Sequence, residues 1–85
     1  MQRETECAAW MRQGIDGDEA AYRRLLEVLG AGVRLTVMQR FRQLRMGNSD
    51  VQDVVQETLL ALHLKRHTWD RREPLGPWVA AITRN

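Results

Sequence analysis

Between Ser49 and Arg66 the chain (SDVQDVVQETLLALHLKR) spaces its apolar residues at a period that only a helix can use. At 100° per residue Val51, Val54, Val55, Thr58, Leu59 and Leu62 share one stripe, wide enough to be turned toward a core. Ser49 with Gln52 three residues on has the form of a capping box. Asp50 and Asp53 stand in the first turn, where the helix dipole favours negative charge, so the spacing predicts a helix beginning at Ser49. On the opposite side Asp53, Glu57, Leu60 and Leu64 point together, with Gln56 at the margin. Leucines flanked by carboxylates on a solvent face either form a docking surface or are ordinary exposed leucines on a solvated helix.

The rest of the chain has to supply what that stripe packs against. At 85 residues there is room for one small domain. Helix formers predominate and predict an all-α fold, a compact bundle of three to four main helices. Residues 4–13 suit a short helix stopped by Gly14, and Asp16 with Glu19 suits the cap of the next. That helix carries Ala21, Tyr22, Leu25, Val28 and Leu29 on one stripe, and Gly30-Ala31-Gly32 should break or kink it. A third helix follows, with Val33, Val37, Phe41 and Leu44 inward and Arg34, Arg40, Arg42 and Arg45 outward. Gly47 is placed to end it in a left-handed conformation. Pro74 and Pro77 bracket a turn before a last helix, Trp78 to Arg84. The chain stops at Asn85 within that helical pattern, which leads us to expect that the natural protein continues.

No apolar run approaches the ~20 residues needed to cross a bilayer, and the first twelve residues do not resemble a signal peptide. Cys7 is the sole cysteine, which excludes an internal disulfide and suits a cytoplasmic protein. His63 and His67 lie four apart but lack a third ligand, so no metal site is expected. Asp53 and Glu57 lie on an outward helix face with no pocket implied. There is no phosphate-cradling glycine loop, and Ser49 is the only serine. Neither an enzyme nor a cofactor or small-molecule substrate is indicated.

Charge is uneven along the chain. Residues 1–33 hold four arginines against six acids, and residues 34–85 hold nine basic residues against five acids. Lys65, Arg66, Arg71, Arg72 and Arg84 accompany Trp69 and Trp78 around a proline-stiffened loop. Cations hold phosphates and an indole offers a face on which an unpaired base stacks, the combination that single-stranded nucleic acid requires. Either tryptophan could instead anchor the loop to the core; for Trp78, four residues before Ile82, the core role is favoured.

Three motifs in order give the chain a family resemblance over about residues 16–85. Asp50–Glu57, DVQDVVQE followed by TLLAL, resembles the signature helix of region 2 in bacterial extracytoplasmic-function (ECF) sigma factors, usually D-A-E-D-V-V-Q-E-T-F. Trp69 stands nine residues before Trp78 of WVAAITRN, similar to the family's W-hydrophobic-x-x-Ile-x-x-Asn. Gly17 to Tyr22 (GDEAAY) resembles its opening helix. Residues 1–15 would then be an amino-terminal extension or short helix, with region 2 occupying 16–85 and region 4 absent.

The resemblance implies a transcription initiation factor domain. Its signature helix would dock on the clamp helices of the largest subunit of core RNA polymerase through Asp53, Gln56, Glu57, Leu60 and Leu64. The loop and last helix would recognise and melt the minus-ten promoter element by capturing the non-template strand. By position Trp69, Asp70, Arg71, Arg72 and Asn85 correspond to base-reading and strand-holding residues, and Lys65, Arg66 and Arg84 to phosphate contacts. Many family members are restrained by an anti-sigma factor, often membrane-tethered, which is therefore a further implied partner. Gln52 departs from the usual acid, and the loop HTWDRREPLG holds more arginine and proline than is usual. The rival expectation is a small helical interaction module that uses the Leu60–Leu64 face and never touches DNA.

Overall fold

The computed structural model describes residues 2–44 and 47–84. The Arg45 and Asn85 of the sequence reading lie outside them, and the side chains of Phe41 and Leu44 are likewise outside what is described. Four α-helices and one 3₁₀ turn account for the fold: α1 Gln2–Ile15, α2 Glu19–Leu44, α3 Asn48–Leu64, the turn Arg66–Thr68, and α4 Leu75–Arg84. No strand occurs among the described residues.

The long helix α2 is the spine. Its amino-terminal half builds one core with α1, the loop and α4, in which Cys7, Ala8, Met11, Leu25, Trp69 and Leu75 are buried. Its carboxy-terminal half builds a second with α3, where Val33 and Val37 meet Val51 and Val55. Among the described residues Met11, Leu25 and Leu75 are the largest fully buried side chains, and truncating a residue of this kind to alanine costs about 2–5 kcal/mol.

Several local expectations are corrected. Gly30-Ala31-Gly32 does not interrupt the helix; α2 runs through it for 26 residues. Each glycine weakens a helix by about 1 kcal/mol relative to alanine. Packing on both sides of the site outweighs that, with Leu25 and Val33 buried and the Leu59 side chain over Gly30. Gly14 does not stop α1 but lies inside it, where a Cβ would come within 2.6 Å of the Tyr22 ring. The reversal falls to Gly17, at φ 109°, which few residues with a side chain adopt. Asp18, not Asp16, caps α2, its Oδ1 accepting from the Ala21 N–H at 3.1 Å.

Helix α3 begins at Asn48, one residue earlier than Ser49. Gly47 is its extended cap residue (φ −78°, ψ 169°), not a left-handed one, and its N–H donates to Asp50 Oδ2 at 3.2 Å. The reciprocal acid is therefore Asp50, and Gln52 instead accepts from Arg34 across the α2–α3 seam at 3.1 Å.

Helix α4 begins at Leu75, ahead of the expected Trp78, for a reason far away in the sequence. Of the four N–H groups that a helix start leaves unpaired, Pro74 and Pro77 possess none. The remaining two are satisfied by a single carboxylate on α1: Glu4 Oε1 accepts from Leu75 at 2.5 Å and from Gly76 at 3.1 Å, with Oε2 also 3.2 Å from the Gly76 nitrogen. Gly76 permits the approach, since a Cβ there would lie 2.9 Å from Glu4 Oε2.

Candidate docking face and nucleic-acid loop

Helix α3 has a buried face and an exposed one. Val51, Val55 and Leu62 are buried and Val54, Thr58 and Leu59 half-buried, so the apolar stripe read from periodicity is the packed one. On the reverse, Leu60 is 56% and Leu64 69% exposed, and Asp53, Gln56 and Glu57 are exposed beside them. Neither Asp53 nor Glu57 has an ion-pair partner among the described residues. The result is an acidic and apolar ridge along the outside of α3, held in register by the buried stripe behind it. Leu35 and Met38, on the outer side of α2, are the other exposed large apolar side chains among the described residues.

The following loop is strapped down. After Lys65 the chain makes the 3₁₀ turn, with the Thr68 hydroxyl donating to the Lys65 carbonyl at 2.6 Å. Asp70 then folds the loop on itself: it accepts from the Arg72 backbone N–H at 3.0 Å and from the Arg72 guanidinium at 3.1–3.2 Å. Arg71 reaches the α1–α2 turn and forms a two-pronged pair with Asp16, both contacts 2.7 Å. Its carbonyl also accepts from Arg12 Nε at 3.1 Å. These hydrogen-bonded guanidinium groups hold the Asp16 and Asp70 carboxyls below the ordinary carboxylate range and raise Arg71 and Arg72 above theirs.

Trp69 requires a correction. It is only 5% exposed, packs in the core with Leu25 and Leu75, and its Nε1 donates to the Pro74 carbonyl at 3.3 Å; Arg12 sits 5.8 Å from its ring. In this conformation it has no face for a base, because that face is occupied by the bundle. Trp78 is half-buried, tied to the 3₁₀ turn by Nε1 donating to Thr68 Oγ1 at 3.0 Å. Among the cations, Arg66 donates to the His63 carbonyl at 2.8 Å, whereas Lys65 and Arg84 are exposed and have no ion-pair partner among the described residues. Arg72 is 88% exposed despite its partner, so it retains open directions for a phosphate.

His63 and His67 do not form a ligand pair. His63 Nδ1 shares a 2.8 Å hydrogen bond with the Tyr22 hydroxyl, and burial pushes the Tyr22 phenol above its ordinary value. Among the described residues no three His, Cys, Asp or Glu side chains come together.

Two features escaped the sequence reading. The Asp16–Arg71 clamp joins residues 55 apart, and the Glu4 cap joins residues more than 70 apart. Neither has a local signal, apart from the two prolines that leave only two donors to satisfy.

With this geometry in view, comparison with known proteins decides the kinship. The family model described as Sigma-70 region 2 matches residues 33–85, the second half of α2 through α4. The chain belongs to the sigma-70 region 2 family. It is also 47% identical over 81 residues to the ECF RNA polymerase sigma factor SigF of Caulobacter vibrioides, an alignment that takes in 95% of this chain and 44% of that protein. The ECF group resemblance and the all-α fold thus stand together. The chain spans less than half the length of that relative, and no solved structure matches it. The region 2 match contains the whole of the α3 ridge and the whole loop, while the Asp16 and Glu4 carboxylates that fasten the loop and α4 lie ahead of it.

Proposed function

We propose that this domain acts in transcription initiation as the polymerase-docking and promoter-opening part of a sigma factor, working in the cytoplasm by binding and not by catalysis. The observation that carries the reading is the ridge on α3: Leu60 and Leu64 exposed beside two carboxylates with no ion-pair partner among the described residues, in a region 2 chain. Exposed leucines ringed by charge provide the desolvated centre and polar rim that a specific interface needs. Asp53, Gln56, Glu57, Leu60 and Leu64 would meet the clamp helices of the largest polymerase subunit.

Lys65, Arg66, Asp70, Arg71, Arg72, Arg84 and Asn85 would hold the minus-ten non-template strand. Extracting a base costs a few kcal/mol of stacking, so the domain captures a strand that polymerase binding helps to separate. Engagement requires Arg71 to leave Asp16 for a phosphate. Trp69 would serve DNA only after leaving the core, and Trp78 is the indole with surface already available. A protein covering either surface, an anti-sigma factor, would hold the domain inactive.

The closed loop also favours a second reading, a helical interaction module that binds protein alone, since Arg71 and Arg72 already have carboxylate partners. Binding of a single-stranded minus-ten oligonucleotide separates the two. Under the first reading Arg71→Ala, Arg72→Ala and Lys65→Ala each weaken it, and each flattens the dependence of log affinity on log salt by about 0.7. Under the second, no variant changes it. Trp69→Ala is unsuited to this test because it would remove core volume.

A further inference from the structure

Between helices α2 and α4, with Glu4 and Cys7 of α1 also lining it, lies an open groove of about 560 Å³ that the docking ridge and the loop do not use. One wall is α2, from Val28 through Val33 to Arg40; the other is α4, from Gly76 through Val79 and Ala80 to Arg84. The twelve residue steps from Val28 to Arg40 span about 18 Å at 1.5 Å per step, a little over three helical turns.

The walls are apolar in effect as well as in composition. Thr36 and Thr83 line the groove, but each hydroxyl donates to its own helix, to the Gly32 carbonyl at 3.1 Å and the Val79 carbonyl at 2.7 Å. Neither hydroxyl has its proton free, so a small polar ligand would find few groups at mid-length to orient it. A Cβ placed on Gly32 would meet nothing within 4 Å, so the groove comes close to bare backbone there.

Charge gives the groove a direction. Arg40 and Arg84 stand at one end, exposed and without ion-pair partners among the described residues. Glu4 lines the other end, engaged with the start of α4. A nucleic-acid strand brings a phosphate with every nucleotide and would meet cations at one end only and a carboxylate at the other. A helix with a stripe of alanine- to leucine-sized side chains and carboxylates at one terminus matches every part of the surface.

We propose that the α2–α4 groove is a docking site for an amphipathic helix of a partner protein, its apolar stripe between Val28 and Val79 and its acidic end on Arg40 and Arg84. Acids in the first turn of that helix would also suit its own dipole. The site lies apart from the α3 ridge, and it shares only Arg84 with the proposed strand-holding set. A bound acidic helix would therefore withdraw one cation from DNA without touching the polymerase face.

The test uses the 85-residue chain and two synthetic fluorescein-labelled 14-residue peptides with the same leucine–alanine stripe, one with three glutamates in its first turn and one with three lysines there. Fluorescence anisotropy should show the glutamate peptide binding about tenfold more tightly, and the double variant Arg40→Glu/Arg84→Glu should reverse the preference. Gly32→Leu should abolish binding while its melting temperature holds or rises, because the new side chain enters open groove and removes a helix glycine. Equal binding of the two peptides, or binding unchanged in Gly32→Leu, overturns the proposal. So does a concentration-dependent dimer that Gly32→Leu dissolves, which would make the occupant a second copy. Polymerase binding through Leu60 is indifferent to Gly32→Leu, so failure here and failure of the sigma reading are separately visible.

Discussion

Removing the Glu4 carboxylate should unfasten α4 from the bundle, and the size of the effect follows from counting donors. The two prolines leave Leu75 and Gly76 as the only backbone donors at the start of α4 that lack a helical partner, and Glu4 accepts from both. Loss of an N-cap acceptor costs about 0.5–2 kcal/mol, and with both donors orphaned in Glu4→Ala the upper half of that range, ~1–2 kcal/mol, applies. In a domain of this size each 1 kcal/mol moves the melting temperature by about 4–8 °C, so Glu4→Ala should melt on the order of 5–15 °C lower. Glu4→Gln keeps an oxygen acceptor and should lose only the charge–dipole part, about 0.3–1 kcal/mol. Thermal unfolding followed by far-ultraviolet circular dichroism, with exposed Gln13→Ala as control, measures both. A Glu4→Ala protein melting within about 2 °C of the parent, well inside the smallest expected shift, would refute the idea that a side chain on α1 caps α4.

Other perturbations have equally direct outcomes. Asp16→Asn releases Arg71 and should raise affinity for a single-stranded minus-ten oligonucleotide at low salt, whereas an unchanged or lower affinity would mean the clamp does not oppose strand capture. The folded-state values of Asp16 and Asp70 are lowered, so their contribution to stability is complete above the ordinary carboxylate value of 3.8 and disappears as pH falls through the depressed values; NMR shifts of the Arg71 guanidinium should stay constant from neutral pH down to that range and move only below it. The two helix glycines should respond oppositely: Gly14→Ala drives a Cβ into Tyr22 and should cost about 1–3 kcal/mol, while Gly30→Ala gains an ordinary 3.5 Å contact with Leu59 and should stabilise by about 0.5–1 kcal/mol. Denaturant titration of both variants decides the pair.

The helices and the two faces of α3 were legible because a 3.6-residue period is a local property, written into each successive turn. Val51, Val55 and Leu62 went inside and Leu60 and Leu64 outside for that reason alone. Local rules failed where tertiary packing competes with them. Gly30 and Gly32 are weak helix residues, yet α2 continues because buried residues flank them. Gly14 has the form of a stop signal but serves as a gap for a tyrosine ring. Trp69 lies in a run of polar residues that suggests an exposed indole; its burial depends on α1, over fifty residues earlier, which closes the core around it. The basic loop was visible as composition, but the pairing of Arg71 with Asp16 was not, because charge counts carry no information on which carboxylate folds back within reach.

In the proposed reading the outer ridge of α3 grips core RNA polymerase while the inner stripe of the same helix holds the domain together. Binding of the chain and of its Leu60→Asp/Leu64→Asp variant to purified core polymerase, with circular dichroism run on both, separates these two roles. Replacing two central apolar contacts of an interface by carboxylates costs at least about 2 kcal/mol of binding, so the variant should bind at least about thirtyfold more weakly with its helicity intact. Parental affinity in a folded variant would contradict the claim.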